Sequence, residues 1–251
     1  MSATLYAIPA SHPCACVELA LRLKGIAYER VELLPVVHKL QQKARFGGSA
    51  VPGLVLDGRN HLGSRPIIRA LETHTPEPRL LPADHKQCKS VELAEGWGDE
   101  VLQPMGRRLI WGALKRDPSA MESYTEGAEL PVPEFMARLS APLVARAAAR
   151  ANGAADTSVR ADLLHLGHHL SRIERWIDHE VIGGEQPNAA DLQVGSGLRL
   201  LLTIGDLAPI IDASTAGALA RRWFPDYPGH VPVGTLPAEW VPSPAQAASA
   251  A

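Results

Sequence analysis

The chain has 251 residues, 46% of them hydrophobic and 21% charged, with a formal net charge of −2. That composition is ordinary for a globular protein and gives no overall attraction to nucleic acid or to a membrane surface. No apolar run approaches the roughly 18 to 20 residues that a membrane span needs. The opening MSATLYAIPA lacks the positive region of a secretory signal. Three cysteines do not make a disulfide framework, so a reducing cytoplasm is the expected location.

In chain order, TLYAIP (residues 4–9) is a short apolar run stopped by proline and reads as a strand. Cys14, Val17, Leu19, Ala20, Leu21 and Leu23 form a helical pattern that Gly25 ends, with Lys24 suited to the C-terminal dipole. AYERVELL (27–34) alternates and reads as a second strand. HKLQQKARFGGSA is polar, basic and Gly-rich, and is expected to be a loop with at most one helical turn. VPGLVL, DG and RNHLGS read as strand, two-residue turn and strand, because Asp-Gly is a favoured hairpin turn. SRPIIRALETH (64–74) reads as a helix with Ser64 as its N-cap and Pro66 in its first turn. The order β-α-β-(loop)-β-β-α implies a parallel pair extended by antiparallel strands, a mixed sheet with helices.

The Pro-rich stretch THTPEPRLLPADHKQ follows as a linker, and beyond it strand signals vanish. Residues 90–116 read as a long amphipathic helix kinked near Gly96, Gly98 and Pro104, and 117–133 as a loop or insertion. Residues 133–150 and 158–181 read as helices, the second with Leu163, Leu166, Leu170, Ile173 and Ile177 on one face. Two more helices are expected over 188–203 and 213–223. The tail from Pro225 is rich in Pro, Gly and Ala and is expected to be irregular, its last ten residues disordered. The expected division is a first domain at 1–78, a linker at 79–89, a helical domain at 90–225 and a tail at 226–251.

Several motifs occur in a telling order. SHPC (11–14) sits at a strand-to-helix junction, Val51-Pro52 opens the next strand, and Ser64 opens a helix. ALRLKGIAYE (20–29) and RLLPAD (79–84) follow the same scheme, as does GGEQPNAADLQVG (183–195) in the helical half. Together they resemble the glutathione S-transferase family, and at ALRLKGIAYE its serine-type, zeta-like classes. The resemblance implies an α/β thioredoxin-like domain with a mixed four-stranded sheet (βαβ-ββα), followed by an all-α helical-bundle domain. It also implies glutathione as cosubstrate and a two-fold homodimer.

From its position alone Ser11 is a helix N-cap; the resemblance places it on the catalytic serine. A free thiol has a pKa of about 8.5, so making most of it thiolate at neutral pH takes about two units, roughly 2.7 kcal/mol. One hydroxyl donating to the thiolate supplies about 1.5–3 kcal/mol, and the following helix N-terminus about 0.3–1 kcal/mol. Ser11 would thus stabilise the cosubstrate's nucleophile rather than act as one. Cys14 falls where a redox relative carries its second cysteine. It is either a small buried hydrophobe or a thiol activated by the helix N-terminus. Cys14 and Cys16 point to different sides of a helix and are not a redox pair; Cys16 and Cys88 read as packing residues. No Cys/His spacing suits zinc, and His165 and His169, four apart, lack a third ligand.

The resemblance implies further roles. A cis Val51-Pro52 bond would turn the Val51 N–H and C=O toward the cosubstrate. Ser64 and the first N–H groups of its helix would hold the γ-glutamyl carboxylate, with Arg65 either strengthening that site or facing solvent. Lys39, then His38, would hold the glycine carboxylate, unless that basic stretch is simply solvated. The residue before Ser64 is usually acidic in the family, but here it is Gly63. The usual partner of the γ-glutamyl amino group is therefore missing unless another acid supplies it. Ile8 and Pro9, with Trp111 and Arg108 from the long helix that also carries Trp97, Gln103 and Arg107, would line the second-substrate pocket. Asn188 and Asp191 read as a capping box.

The expected function is addition of a glutathione thiolate to a small-molecule electrophile, with no metal, nucleic acid or membrane partner. The alternatives are a thiol oxidoreductase using Cys14 and a non-catalytic, transferase-like binding module.

Overall fold

The computed structural model describes residues 2–243 except 36 and 131, together with Ala247. Strand β1 (Ala3–Ala7) buries Ala3, Leu5 and Ala7 and turns Thr4 and Tyr6 the other way, the two-residue period of a strand with one face in the core. It pairs in parallel with β2 (Glu29–Glu32) and antiparallel with β3 (Gly53–Leu56), which pairs antiparallel with β4 (Arg59–Leu62). The sheet order is β2-β1-β3-β4, the expected mixed sheet. Asp57 and Gly58 both have positive φ, 46° and 79°, the geometry of a two-residue hairpin turn whose twist matches the strands.

Helix α1 (His12–Leu23) buries Cys14, Val17, Ala20 and Leu21 and ends at Gly25, in left-handed conformation at φ 65°. The Lys24 side chain does not serve the helix end: fully enclosed, it pairs with Glu72 and donates to the carbonyls of Pro76, at 3.3 Å, and Pro78, at 2.7 Å. It thereby pins the Pro-rich segment to the first half. The stretch expected to be a loop is helix α2 (His38–Phe46), closed by Gly47 at φ 77°. Helix α3 (Ser64–His74) buries Ile67, Ile68 and Leu71. Its N-cap is Gly63, not Ser64, which is instead the first helical residue.

The long helix begins earlier than expected, at His85, because Asp84 caps it by accepting from Gln87 N at 2.9 Å. It runs as α4 (His85–Trp97), a π turn (Gly98–Leu102) and α5 (Gln103–Leu114), so the irregularity falls where Gly98 and Pro104 place it. The loop that follows contains a 3-10 turn at Pro118–Tyr124. Helices α6 (Glu134–Ala151) and α7 (Asp156–Asp178) come next. Helix α8 (Ala189–Leu201), buried on nearly every side, is the axis of the helical region. Its start is the expected capping box: Asn188 Oδ1 accepts from Ala190 N and Asp191 N, while Asp191 accepts from the Asn188 N–H. The last expected helix is α10 (Thr215–Trp223), capped by Ser214, and a short helix the sequence did not announce, α9 (Ala208–Asp212), precedes it.

The tail is irregular but held. Val231 bridges to Ile204, Tyr227 donates to Ala10 O at 2.7 Å, and Arg116 lies 4.8 Å from the Trp240 ring centre. The disorder expected for the last ten residues falls largely outside the described residues. No described helix is long and apolar enough to cross a membrane.

Candidate active site

A cleft of about 730 Å³ opens between the sheet end and the long helix. Its floor is the β1–α1 junction, where Ile8, Pro9, Ser11 and His12 line it. Ser11 is the N-cap of α1 by backbone geometry, yet its side chain makes no capping hydrogen bond. The hydroxyl is therefore not consumed as a cap, and it lies beside the Cys14 thiol. Two tyrosine hydroxyls nearby are committed elsewhere, Tyr124 to Thr203 Oγ1 and Tyr227 to Ala10 O, each at 2.7 Å.

On one side stand His38 and Lys39 from the start of α2, then Val51, then Gly63, Ser64 and Arg65 at the start of α3. The Val51–Pro52 peptide is cis, and Val51 precedes β3, so it lies outside the strand pairing. His38 Nδ1 is enclosed without a partner among the described residues, and burial pushes the imidazole pKa down. The opposite wall is one face of the long helix, with Asp99, Gln103, Arg107, Ile110, Trp111 and Leu114 at spacings of three and four. Gln103 Nε2 reaches Ser64 Oγ at 3.5 Å and donates to Asp99 Oδ1 at 2.9 Å, while Arg107 Nη1 donates to Gln103 Oε1 at 2.9 Å. Burial raises the Asp99 carboxyl pKa, against the opposing pull of Arg65 and Arg107.

Several expected residues thus converge: Ile8, Pro9, Ser11, His38, Lys39, Val51, Ser64, Arg65 and Trp111 all line the cleft. Two do not behave as expected. Arg108 faces away, its guanidinium bidentate to Asp162 at 2.6 and 2.7 Å; Arg107 is the arginine in the cleft. Arg65 is half-buried and does not stand free to bind an anion, because it pairs with the buried Glu95 at 3.4 Å and with Glu100 at 3.7 Å. Cys14 is 1% exposed, and burial pushes its thiol pKa up to about 12; the Ser11 hydroxyl beside it pulls the other way without prevailing. That is the environment of an inert thiol. Cys16 is likewise buried, its thiol near Gln193 Oε1 at 3.5 Å. Among the described residues no acidic, histidine or cysteine cluster could hold a metal ion, and His165 and His169 lie with ring centres 6.4 Å apart.

His12, Asp99, Gln103 and Arg107 also line the cleft and were not singled out as site residues from sequence. The last three share a helix face with Trp111, and that periodicity was the available signal.

The comparisons with known proteins bear on this arrangement. Residues 5–79 match the family model for the glutathione S-transferase N-terminal domain. The chain has the glutathione S-transferase fold. A glutathione S-transferase from Rhodospirillum rubrum F11 superposes with TM-score 0.59 at 21% identity, over 88% of this chain and 86% of that one. Glutathione transferase F7 from Populus trichocarpa gives TM-score 0.62 at 16% identity, over 89% and 94%. A glutathione S-transferase from Methylobacterium radiotolerans, solved in complex with glutathione sulfonate, gives 0.53 at 17% identity, over 89% and 91%. No curated protein matches the sequence. In this fold the first half is the thioredoxin-like domain and the second the all-helical one.

Proposed function

We propose that the protein is a glutathione transferase in which Ser11 holds the glutathione thiolate for attack on a small electrophile. The observation that carries this reading is the Ser11 hydroxyl, unused as a cap, on the floor of a cleft that Val51 and Ser64 also line. Helix geometry leaves the first N–H groups of α1 and α3 without intrahelical acceptors, and both helices begin at the cleft. Ser64 and the start of α3 take the γ-glutamyl carboxylate, Val51 meets the peptide backbone, and Lys39 with His38 takes the glycine carboxylate. Asp99, joined to Ser64 through Gln103, supplies the acid that Gly63 lacks for the γ-glutamyl amino group. The glutathione sulfonate complex of the Methylobacterium radiotolerans structure supports glutathione as the cosubstrate.

In the reaction the cosubstrate thiol loses its proton to solvent, the Ser11 hydroxyl donates to the resulting thiolate, and the sulfur attacks the electrophilic carbon of an aryl halide, from which halide leaves with the bonding electrons. The serine acts through the negative charge it stabilises, so its removal weakens the ground-state thiolate rather than the fold. Turnover of glutathione with activated aryl halides tests the reading. Ser11→Ala is expected to lower kcat/KM about 10- to 100-fold, the range that loss of one hydrogen bond to a charged group spans. Cys14→Ala is expected to keep activity; loss of turnover there, with Ser11→Ala unaffected, would favour a thiol oxidoreductase. The proposed setting is the cytoplasm.

A further inference from the structure

The long-helix wall of the cleft holds a cation with no ion-pair partner among the described residues. The neighbouring arginines are paired, Arg65 with Glu95 and Arg108 with Asp162. Among the described residues Arg107 makes no ion pair; its hydrogen bond goes to the neutral amide oxygen of Gln103. Asp99 is felt electrostatically, and its carboxylate already accepts from Gln103 Nε2. Burial pushes the Arg107 pKa down, the mark of a guanidinium held in a poorly solvated wall.

Beside Arg107 is a second unsatisfied group. His12, the first residue of α1, is 2% exposed, and its Nε2 has no hydrogen-bond partner among the described residues. Its Cε1 lies 4.0 Å from where a Cβ on Gly106 would stand, so the ring packs against α5 next to Arg107. His12, Arg107, Ile110, Trp111 and Leu200 all line the same cleft. An unpaired, half-buried cation and an orphaned buried nitrogen both cost stability. A ligand that satisfies both removes that cost.

We propose that Arg107 and His12 form an anion subsite for a carboxylate carried by the second substrate, whose apolar body packs on Trp111, Ile110 and Leu200. This rests on the transferase reading above and narrows its electrophile to an acid. A guanidinium presents paired N–H donors that match the two oxygens of a carboxylate, and a neutral imidazole adds one more. In the substitution reaction a sulfur–carbon bond forms, the carbon–halogen bond breaks, and the halide leaves with the bonding electrons. The carboxylate is unchanged throughout.

The test compares 4-chloro-3,5-dinitrobenzoate with its methyl ester, in which a neutral, slightly larger and more electron-withdrawing group replaces the carboxylate. Rates are referred to the uncatalysed reaction of each with glutathione. The wild type is expected to favour the acid about tenfold or more, as a charge-assisted bidentate contact does. Arg107→Gln abolishes the preference, Arg107→Lys retains part of it, and His12→Phe lowers it by a smaller factor. Calorimetry with the unreactive pair, 3,5-dinitrobenzoate and its methyl ester, reads the same preference without glutathione. Failure to bind glutathione would then contradict the transferase reading, while an acid preference lost in Arg107→Gln would uphold the subsite. Equal handling of acid and ester by the wild type overturns the proposal. So does an Arg107→Gln variant that raises the bound thiol's pKa and leaves the preference intact, since Arg107 would then serve the thiolate. An unaltered preference in His12→Phe removes His12 from the site.

Discussion

Ser11 and its neighbours show how position decides chemistry at the scale of single residues. Ser11, His12 and Cys14 occupy one helical turn, yet only Ser11 combines access to the cleft with a hydroxyl that caps no backbone N–H. Cys14, three residues on, points into the core and is held protonated. His12 is held neutral for the same reason: burial foremost, then the Arg107 charge, lower its pKa from 6.5 to about 3. This has a consequence for stability. Below about pH 6.5 an unfolded histidine takes up a proton, while native His12 stays neutral down to about pH 3. Proton uptake therefore favours the unfolded chain, and stability falls as pH drops through that window. At pH 5 the loss from this group is about 2 kcal/mol relative to pH 7. Urea unfolding at the two pH values should show the loss in the wild type and a much smaller one in His12→Phe. An equal loss in both would show that His12 is not the group responsible.

At the scale of elements, what could be read from the sequence depended on how much of each element is buried. Helices α1, α3, α7 and α8 carry buried residues at regular spacing, and their existence was legible; the starts of α4 and α10 shifted by a few residues, because the caps Asp84 and Ser214 set them. Helix α2 was not legible, because Gln42 is its one buried residue and no apolar period marks it. The Gly47-Gly48 pair that stops it was the only trace. Gly63 was read as a missing acid, but at φ 88° it is where the backbone needs glycine to turn β4 into α3. Arg108 in place of Arg107 was the subtler error. Both lie three or four residues before Trp111, so helical spacing alone cannot choose between them, and Asp162 on α7, far away in sequence, makes the choice. The capping box was readable because all its parts lie within four residues. It also carries load from outside itself: Asn188 Nδ2 donates to Val181 O at 2.8 Å, and Asp191 accepts from Gly183 N at 2.8 Å and Trp223 Nε1 at 3.2 Å. Asn188→Ala should cost about 1–2 kcal/mol in unfolding free energy with no change in glutathione affinity. An affinity loss as large as the stability loss would mean that the cap serves the cleft.

For the whole molecule, the cleft exists because two differently built halves meet. The sheet half brings backbone turns and helix starts; the helical half brings one continuous wall and its charges. Glu95 ties them together: fully buried on α4, it accepts from Arg69 and Arg65 of α3. The backbone of Ala189 adds a bond to Leu80 O at 2.8 Å. The spatial order of the site was therefore legible from sequence only through the family resemblance, since no local pattern places Asp99 and Gln103 opposite Ser64. The resemblance also implies a two-fold dimer, which we propose for this chain. Sedimentation should then give about twice 26.9 kDa; a single species at the monomer mass would refute it.

The central claim is that Ser11 stabilises a bound glutathione thiolate. It is tested most directly by titrating the ultraviolet absorbance of the thiolate against pH in glutathione complexes of the wild type and Ser11→Ala. Glutathione is expected to bind both proteins, with a bound-thiol pKa depressed by one to two units, about 1.4–2.7 kcal/mol, in the wild type alone. An equally depressed pKa in Ser11→Ala, or no binding to either protein at millimolar glutathione, would contradict it.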